Sequence, residues 1–200
     1  PYSDDVDLEE LWRIHERLSR EFKNVWRKIR DGSLELSELP IPENSLLDLK
    51  IMLARELMRE CVLCERRCRV RRLEGRHGVC LVSNKCIVHS YFHHLGEEAP
   101  LVPSGTIFYG GCNFKCIYCQ NWDISQVRVW DGSVVSTREL ARIQEYLRKT
   151  GARNINHVGG DPTPHLPFIL ESFRYLDINT PQLWNSNMYL TLEAMSLLVD

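Results

Sequence analysis

The first part of the chain carries apolar residues at the spacing of a helix. Over residues 6–29 they recur every three or four positions, which predicts an amphipathic helix with a wide buried stripe that ends at Asp31 and the glycine after it. Ser45 precedes a second apolar run, and Asp48 stands where the acid of a capping box is expected. A second helix is therefore expected from Ser45 towards Cys61.

Further along, short apolar runs alternate with segments of helical periodicity. The strands that this pattern predicts are residues 87–92, 106–109, 155–158 and 182–184. Three helices are expected after the later strands, beginning at Ser136 with its capping-box partner Glu139, at Thr163, and at Thr191 and running to the end of the chain. Strands that alternate with helices in this way predict a parallel sheet or a β/α barrel.

The number of strand–helix units sets the expected fold class. Three units are too few to close a barrel, since an eight-unit barrel needs about 250 residues. The sequence predicts an α/β protein: a partial, TIM-like β/α barrel, truncated after three β/α units and preceded by helices and a Cys-rich module. The expected division is a helical segment at 1–58, a Cys-rich metal-binding module with a strand at 59–100, and the N-terminal half of the barrel at 101–200.

Composition narrows the class of protein further. The 200 residues are 44% hydrophobic and 26% charged, with a formal net charge of −2, which argues against a globally basic nucleic-acid binder. No apolar run approaches the roughly 20 residues of a membrane helix, and no signal peptide opens the chain, so a cytoplasmic protein without a membrane partner is expected. Eight cysteines in such a chain indicate metal or redox chemistry more than disulfides.

Three of these cysteines follow directly after the predicted strand 106–109. Cys112, Cys116 and Cys119 form a C-x-x-x-C-x-x-C pattern, which places three thiolates on one short loop. Such a loop can bind one face of an iron–sulfur cluster and leave one iron open, and an open position is typical of a catalytic metal centre. Loops at the C-terminal ends of strands also carry the active sites of β/α barrels. The alternative is a zinc site completed by a distant ligand.

The stretch from Gly105 to Ser125 resembles the cluster loop of radical S-adenosylmethionine enzymes. More narrowly, it is similar to the homologues of pyruvate formate-lyase activating enzymes described as PflX-like iron–sulfur proteins. Three other segments agree with that subgroup: residues 96–98, 159–165 and 184–188. The resemblance covers residues 58 to 200 and leaves the N-terminal helices unexplained.

The resemblance implies a reaction as well as a fold. Cys112, Cys116 and Cys119 would hold a [4Fe–4S] cluster, and S-adenosylmethionine would chelate the fourth iron. One electron, from a donor such as flavodoxin or ferredoxin, would cleave the sulfonium–C5′ bond and yield a 5′-deoxyadenosyl radical. That radical would take a hydrogen atom from a protein, as in glycyl-radical activation, or from a small-molecule substrate.

The same resemblance implies a set of contacts to S-adenosylmethionine. The positions are Tyr118, Gly159, Gly160, Asp161, Asn185 and Asn187. The two glycines permit close approach of the methionine amino group, with Asp161 as an acidic partner where the family usually has Glu. Tyr118 matches the position whose backbone meets the adenine, or is an aromatic lid on the cluster. The two asparagines would reach the ribose or the carboxylate, or cap the next helix.

A second set of cysteines lies upstream of the first. It comprises Cys61, Cys64, Cys68 and Cys80. Four thiolates are the ligand count of a closed site, which is structural zinc or a second cluster used for electron relay. Cys86 falls outside this set and is expected to be a buried free thiol.

Arginines crowd the same module, at positions 66, 67, 69, 71, 72 and 76. They would balance the charge of a thiolate–metal site, bind phosphate, or dock an acidic partner such as a small electron-transfer protein. A competing function follows from the same module. In it, the chain is a non-catalytic zinc-binding protein whose arginine-rich cysteine module binds nucleic acid or a protein partner.

Overall fold

Five α-helices and five strands form within residues 7–40 and 42–199, which are the residues that this computed structural model describes. The helices are α1 Leu8–Arg30, α2 Leu46–Glu56, α3 Thr137–Lys149, α4 Leu166–Ser172 and α5 Leu192–Ser196. The strands are β1 Cys86–His94, β2 Ser104–Tyr109, β3 Ser133–Val135, β4 Asn154–Gly159 and β5 Gln182–Trp184. The expected start of the first helix at residue 6 and the expected end of the last at residue 200 lie outside the described residues.

The five strands form one mixed sheet in the order β3-β1-β2-β4-β5. The pairs β2–β4 and β4–β5 are parallel, which confirms the alternation of strands and helices predicted from the sequence. β1 runs antiparallel to both β2 and β3. Only a short loop separates β1 from β2, and a connection of that length joins antiparallel strands. The partial barrel and the division into three domains stay predictions.

Helices of the structure begin where the capping residues in the sequence predict. At the start of α3, the Ser136 hydroxyl accepts from the Glu139 amide at 3.2 Å, and the Glu139 carboxylate accepts from the Ser136 amide at 2.7 Å. The helix predicted to follow Thr163 is shorter than expected, because α4 is flanked by two 3₁₀ turns. α5 ends at Ser196 and does not continue to the last described residue.

Two buried clusters hold these elements together. The first joins both N-terminal helices to α4, α5 and the start of the Cys-rich module, and the second lies between the sheet and α3. The wide buried stripe expected for α1 is wrong in its second half, because burial stops at Ser19 and Trp26 is 48% exposed. No helix among residues 7–40 and 42–199 has the length and apolar character needed to cross a bilayer.

Candidate metal and cofactor site

The carboxyl ends of the three parallel strands meet at one edge of the sheet. Tyr109 at the end of β2 is in register with Gly159 at the end of β4, and His157 of β4 is in register with Trp184 at the end of β5. The segment with the three cysteines, the glycine segment and the segment from residue 185 onward each follow one of these ends. The loops predicted to act together are therefore brought to the same edge.

Glycines allow the first two loops to touch through their backbones. Gly111 has φ +82°, and a Cβ there would collide with the carbonyl of Cys80. A Cβ on Gly160 would collide with the carbonyl of Gly111, and the Gly160 amide donates to the Tyr109 carbonyl at 2.8 Å. Only glycine permits an approach this close. The result is close backbone packing between the ends of β2 and β4, directly before Cys112.

Cys112 is the most buried thiol of the loop, at 7% exposure. Its sulfur accepts from the Phe114 amide at 3.2 Å, and Asn187 Nδ2 lies 3.7 Å away. Burial, followed by the negative field of Asp161 and of the other two thiols, raises the pKa of Cys112 to about 12. Because a coordinated thiol is deprotonated outright, a bound metal would reverse this shift.

Cys116 and Cys119, the other two thiols of the same loop, are half-buried. The Cys119 amide donates to the Cys116 carbonyl at 3.3 Å, and the Ser125 hydroxyl lies 3.5 Å from the Cys119 sulfur. Gln126 Nε2 donates to the Cys116 carbonyl at 3.2 Å. Ser125 and Gln126 belong to a single π-helical turn over residues 123–127, a conformation that is often found at functional sites.

Asp161 is only 2% exposed, and its carboxylate is used inside the protein. Its oxygens accept from the Thr163 amide at 2.8 Å, the Ser186 hydroxyl at 2.9 Å and the Asn187 amide at 3.0 Å. Burial raises the pKa of Asp161, while these hydrogen bonds oppose the shift. The carboxylate thus ties the end of β4 to the end of β5, and its direct contact with a methionine amino group stays a prediction.

The other predicted contact residues separate into two groups. Asn187 is brought to the cysteine loop, where its Nδ2 donates to Asn113 Oδ1 at 2.7 Å and its Oδ1 accepts from the Tyr189 amide at 2.9 Å. Asn185 is exposed, and its amide donates to the His157 carbonyl at 3.0 Å. Tyr118 is 84% exposed. Asn185 and Tyr118 therefore lie on the surface of the site, not at its thiols.

Two fully buried histidines contact the residues that lead into the cysteine loop, and the sequence pattern did not reveal them. His165 Nε2 donates to the Gly110 carbonyl at 2.8 Å, and the Tyr109 hydroxyl donates to His157 Nδ1 at 2.8 Å. Burial lowers the pKa of His157 to about 4 and that of His165 to about 3, so both rings are neutral at neutral pH. β4 also carries Asn154 and Asn156, so no polarity pattern singles out His157 in its sequence.

The second set of cysteines converges on one small cavity. Its lining includes all four members of the set, together with Arg72 and Gly78, and its volume is about 20 Å³. Among residues 7–40 and 42–199, no three His, Cys, Asp or Glu side chains stand where they could hold a metal ion without rearrangement. Cys86 is buried, as expected, and burial raises the pKa of its thiol.

Comparison with known proteins gives a family match for the second half of the chain. Residues 106–200 match the family model of the Radical SAM superfamily. The uncharacterized protein MJ0674 of Methanocaldococcus jannaschii is 44% identical over 96% of this chain and 56% of the relative.

A second relative from the same organism, the uncharacterized protein MJ0808, is 26% identical over 56% of this chain and 38% of the relative. The chain thus spans about half the length, or less, of these relatives. No solved structure matches it. The subgroup of activating-enzyme homologues is named by none of these relatives and stays a prediction.

Proposed function

We propose that this protein is a radical S-adenosylmethionine enzyme whose [4Fe–4S] cluster is held by Cys112, Cys116 and Cys119. The observation that carries the proposal is a loop of three thiols at the joint carboxyl end of three parallel strands. With S-adenosylmethionine bound, such a cluster supplies the electron that cleaves the sulfonium–C5′ bond and so yields a hydrogen-abstracting 5′-deoxyadenosyl radical.

The kinds of residue at the site fit this cofactor, and binding would draw the three thiols of the loop together, because they do not stand in coordinating positions in the described structure. Three thiols are one fewer than a closed four-iron site requires, so one position remains for an exchangeable ligand. Gly159 and Gly160 pack against the backbone of Tyr109 and Gly111, just before the loop, and glycine at both positions suits the close approach of a small polar group such as an amino acid backbone. Asp161 acts as a positioning residue, because its carboxylate holds Ser186 and Asn187 beside Cys112.

The surface around the loop favours a protein substrate, as in glycyl-radical activation, over a small molecule. Ile117 is fully exposed, and Tyr118 and, further along the chain, Trp122 are more than half exposed. An apolar group of this kind beside a reactive centre is typical of a site at which another macromolecule docks.

A small acidic electron carrier, such as a flavodoxin or a ferredoxin, is the proposed reductant. Arg66 is exposed, and its Nε donates to the carbonyl of Asn113 within the cysteine loop. A cation at this position would steer a negatively charged partner towards the cluster.

The test is anaerobic reconstitution with iron and sulfide, followed by reduction in the presence of S-adenosylmethionine. We expect the protein to bind one four-iron cluster and to release 5′-deoxyadenosine. Cys116→Ala should abolish both signals, whereas Cys86→Ala, which removes a buried thiol outside the loop, should preserve them. A wild-type protein that forms neither cluster nor 5′-deoxyadenosine, or a Cys116→Ala variant that forms both, would contradict the proposal.

A further inference from the structure

A buried arginine in the Cys-rich module has no anionic partner. Arg72 is 1% exposed, its Nε and Nη2 donate to the Ser83 carbonyl at 3.1 and 2.7 Å, and Nη2 also donates to the Pro164 carbonyl at 2.8 Å. Within residues 7–40 and 42–199, no carboxylate forms an ion pair with it. Burying a charge is costly unless it is paired as well as hydrogen-bonded, so this guanidinium favours a negative group nearby.

The remaining nitrogen of Arg72 faces the four cysteines. Its Nη1 lies 3.9 Å from the sulfur of Cys61. Neutral thiols do not supply a counter-charge, but four thiolates around a divalent metal ion carry a net charge of −2. The missing anion is therefore present when the four cysteines are deprotonated and bound to a metal.

The size of the cavity distinguishes between the two metal groups that suit four thiolates. The cavity that the cysteines line has a volume of about 20 Å³. A space of roughly 10–15 Å³ holds one water-sized sphere, so this cavity accommodates a single ion, whereas four irons and four sulfides would require it to expand. Four thiolates around one ion with no open position are the ligand set of structural zinc.

Close packing keeps the cysteines near one another. A Cβ on Gly78 would lie 2.9 Å from both Cβ and Sγ of Cys68, so the two chain segments of the module touch at this point. The Arg67 amide donates to the Cys64 carbonyl at 2.9 Å, and the Arg69 amide donates to the Cys61 carbonyl at 3.0 Å. These hydrogen bonds tie Cys61 and Cys64 to the segment that carries Cys68.

We propose that Cys61, Cys64, Cys68 and Cys80 bind a single zinc ion and that Arg72 is its buried counter-charge. The four sulfurs do not stand in coordinating positions in the described structure, so binding draws them inwards. The zinc site shares no ligand with the cluster loop, and it does not depend on the reaction proposed for that loop.

The test uses a variant in which Cys112, Cys116 and Cys119 are all replaced by Ala, because it removes the loop thiols as alternative ligands. Purified from cells, this variant should contain one equivalent of zinc and no acid-labile sulfide. Adding Cys64→Ala should remove the zinc, and adding Cys86→Ala should leave it in place. Where Cys64→Ala does not fold, cobalt replaces zinc in the triple variant, and its visible spectrum should show tetrahedral thiolate coordination.

Iron with sulfide in place of zinc in the folded triple variant would overturn the proposal, and so would the absence of any metal. A cobalt spectrum typical of oxygen or nitrogen ligands would overturn it as well. Zinc that survives in a folded Cys64→Ala variant would exclude that cysteine as a ligand and contradict the four-thiolate site.

The role of Arg72 is tested by zinc affinity, measured in competition with a chromophoric chelator. Arg72→Leu removes the charge and should weaken zinc binding by about 10- to 100-fold, as is usual for a lost partner of a metal ligand. Arg72→Lys keeps a positive charge and should lose less. Affinities of both variants equal to that of the wild type would show that the guanidinium is not the counter-charge.

Discussion

The loop of Cys112, Cys116 and Cys119 and the module of the four upstream cysteines use the same side chain in opposite surroundings. The loop lies at the open end of the parallel strands, and Ile117 between its last two cysteines is fully exposed. In the module the four thiols surround a cavity of about 20 Å³ beside a buried arginine. An open set of three thiols leaves room for an exchangeable ligand, whereas a closed set of four suits an ion that stays in place.

The two regions are also in direct contact. The Gly111 backbone, one residue before the loop, packs against the carbonyl of Cys80 in the module. Arg66 of the module also donates to the Asn113 carbonyl of the loop. The loop therefore rests on the module, and a change in one region is expected to be felt in the other.

The largest predicted difference between the regions is in their response to acid. His157 and His165 lie beneath the loop with pKa values lowered by burial to about 4 and about 3, from a reference value of 6.5. Below pH 6.5 the unfolded chain takes up protons that the folded chain does not. The free energy of unfolding therefore carries no penalty from these two rings above pH 6.5, and it decreases as the pH falls from 6.5 towards 4.

For each unit by which the pH falls in this range, each histidine should reduce the free energy of unfolding by up to about 1.4 kcal/mol. Denaturant titrations at pH 7, 6 and 5 measure the slope. His157→Gln removes one of the two titrating rings. Its free energy of unfolding should therefore change less steeply with pH, by up to about 1.4 kcal/mol per pH unit. An unfolding free energy that does not change between pH 6.5 and pH 5 would contradict the neutral burial of these rings.

A pair of glycines, one from each region, tests the contact between loop and module. Gly111 and Gly75 have nearly the same φ, +82° and +83°, but a Cβ on Gly111 meets the Cys80 carbonyl while a Cβ on Gly75 has nothing within 4 Å. Gly75→Ala should cost only the left-handed backbone strain, about 1–2 kcal/mol. Gly111→Ala should cost about 1–3 kcal/mol more, because the backbones must move apart.

The measurement for both glycine variants is the free energy of unfolding from urea titrations. Iron content after reconstitution gives a second readout, which should fall for Gly111→Ala and stay near the wild-type level for Gly75→Ala. Equal losses of stability in the two variants would show that the close contact between Gly111 and Cys80 does not matter.

The smallest predicted effect concerns the proposed electron donor. Arg66 contacts the cysteine loop. Arg71 of the same module is exposed, and its Nη1 lies 3.5 Å from Glu74 Oε1. Arg66→Ala should slow reduction of the cluster by flavodoxin on the order of threefold at low salt, and Arg71→Ala should change it less. Rates measured over a salt series should converge at high salt. Equal rates for Arg66→Ala and the wild type at low salt would exclude docking at this arginine.

Much of the local structure was predictable from the sequence. The strand at 182–184 and the capping box at Ser136 agree with the prediction, because both depend on residues close together in the chain. β3 was not predicted, because three residues are too few to show an alternation of polar and apolar positions. The exposure of Trp26 was not predicted either, since periodicity shows which face of a helix is apolar and not whether another element covers it.

For the site, the sequence by itself determined which cysteines could act together, because ligand spacing on one loop is a local property. Only the tertiary structure decided what the surrounding groups do. Asp161 turns inward to Ser186 and Asn187, His165 supports Gly110, and Arg72 reaches Pro164, 92 positions away. Each of these is a buried polar group whose partner is set by the packing of distant segments. Its role follows from long-range geometry that no local pattern carries.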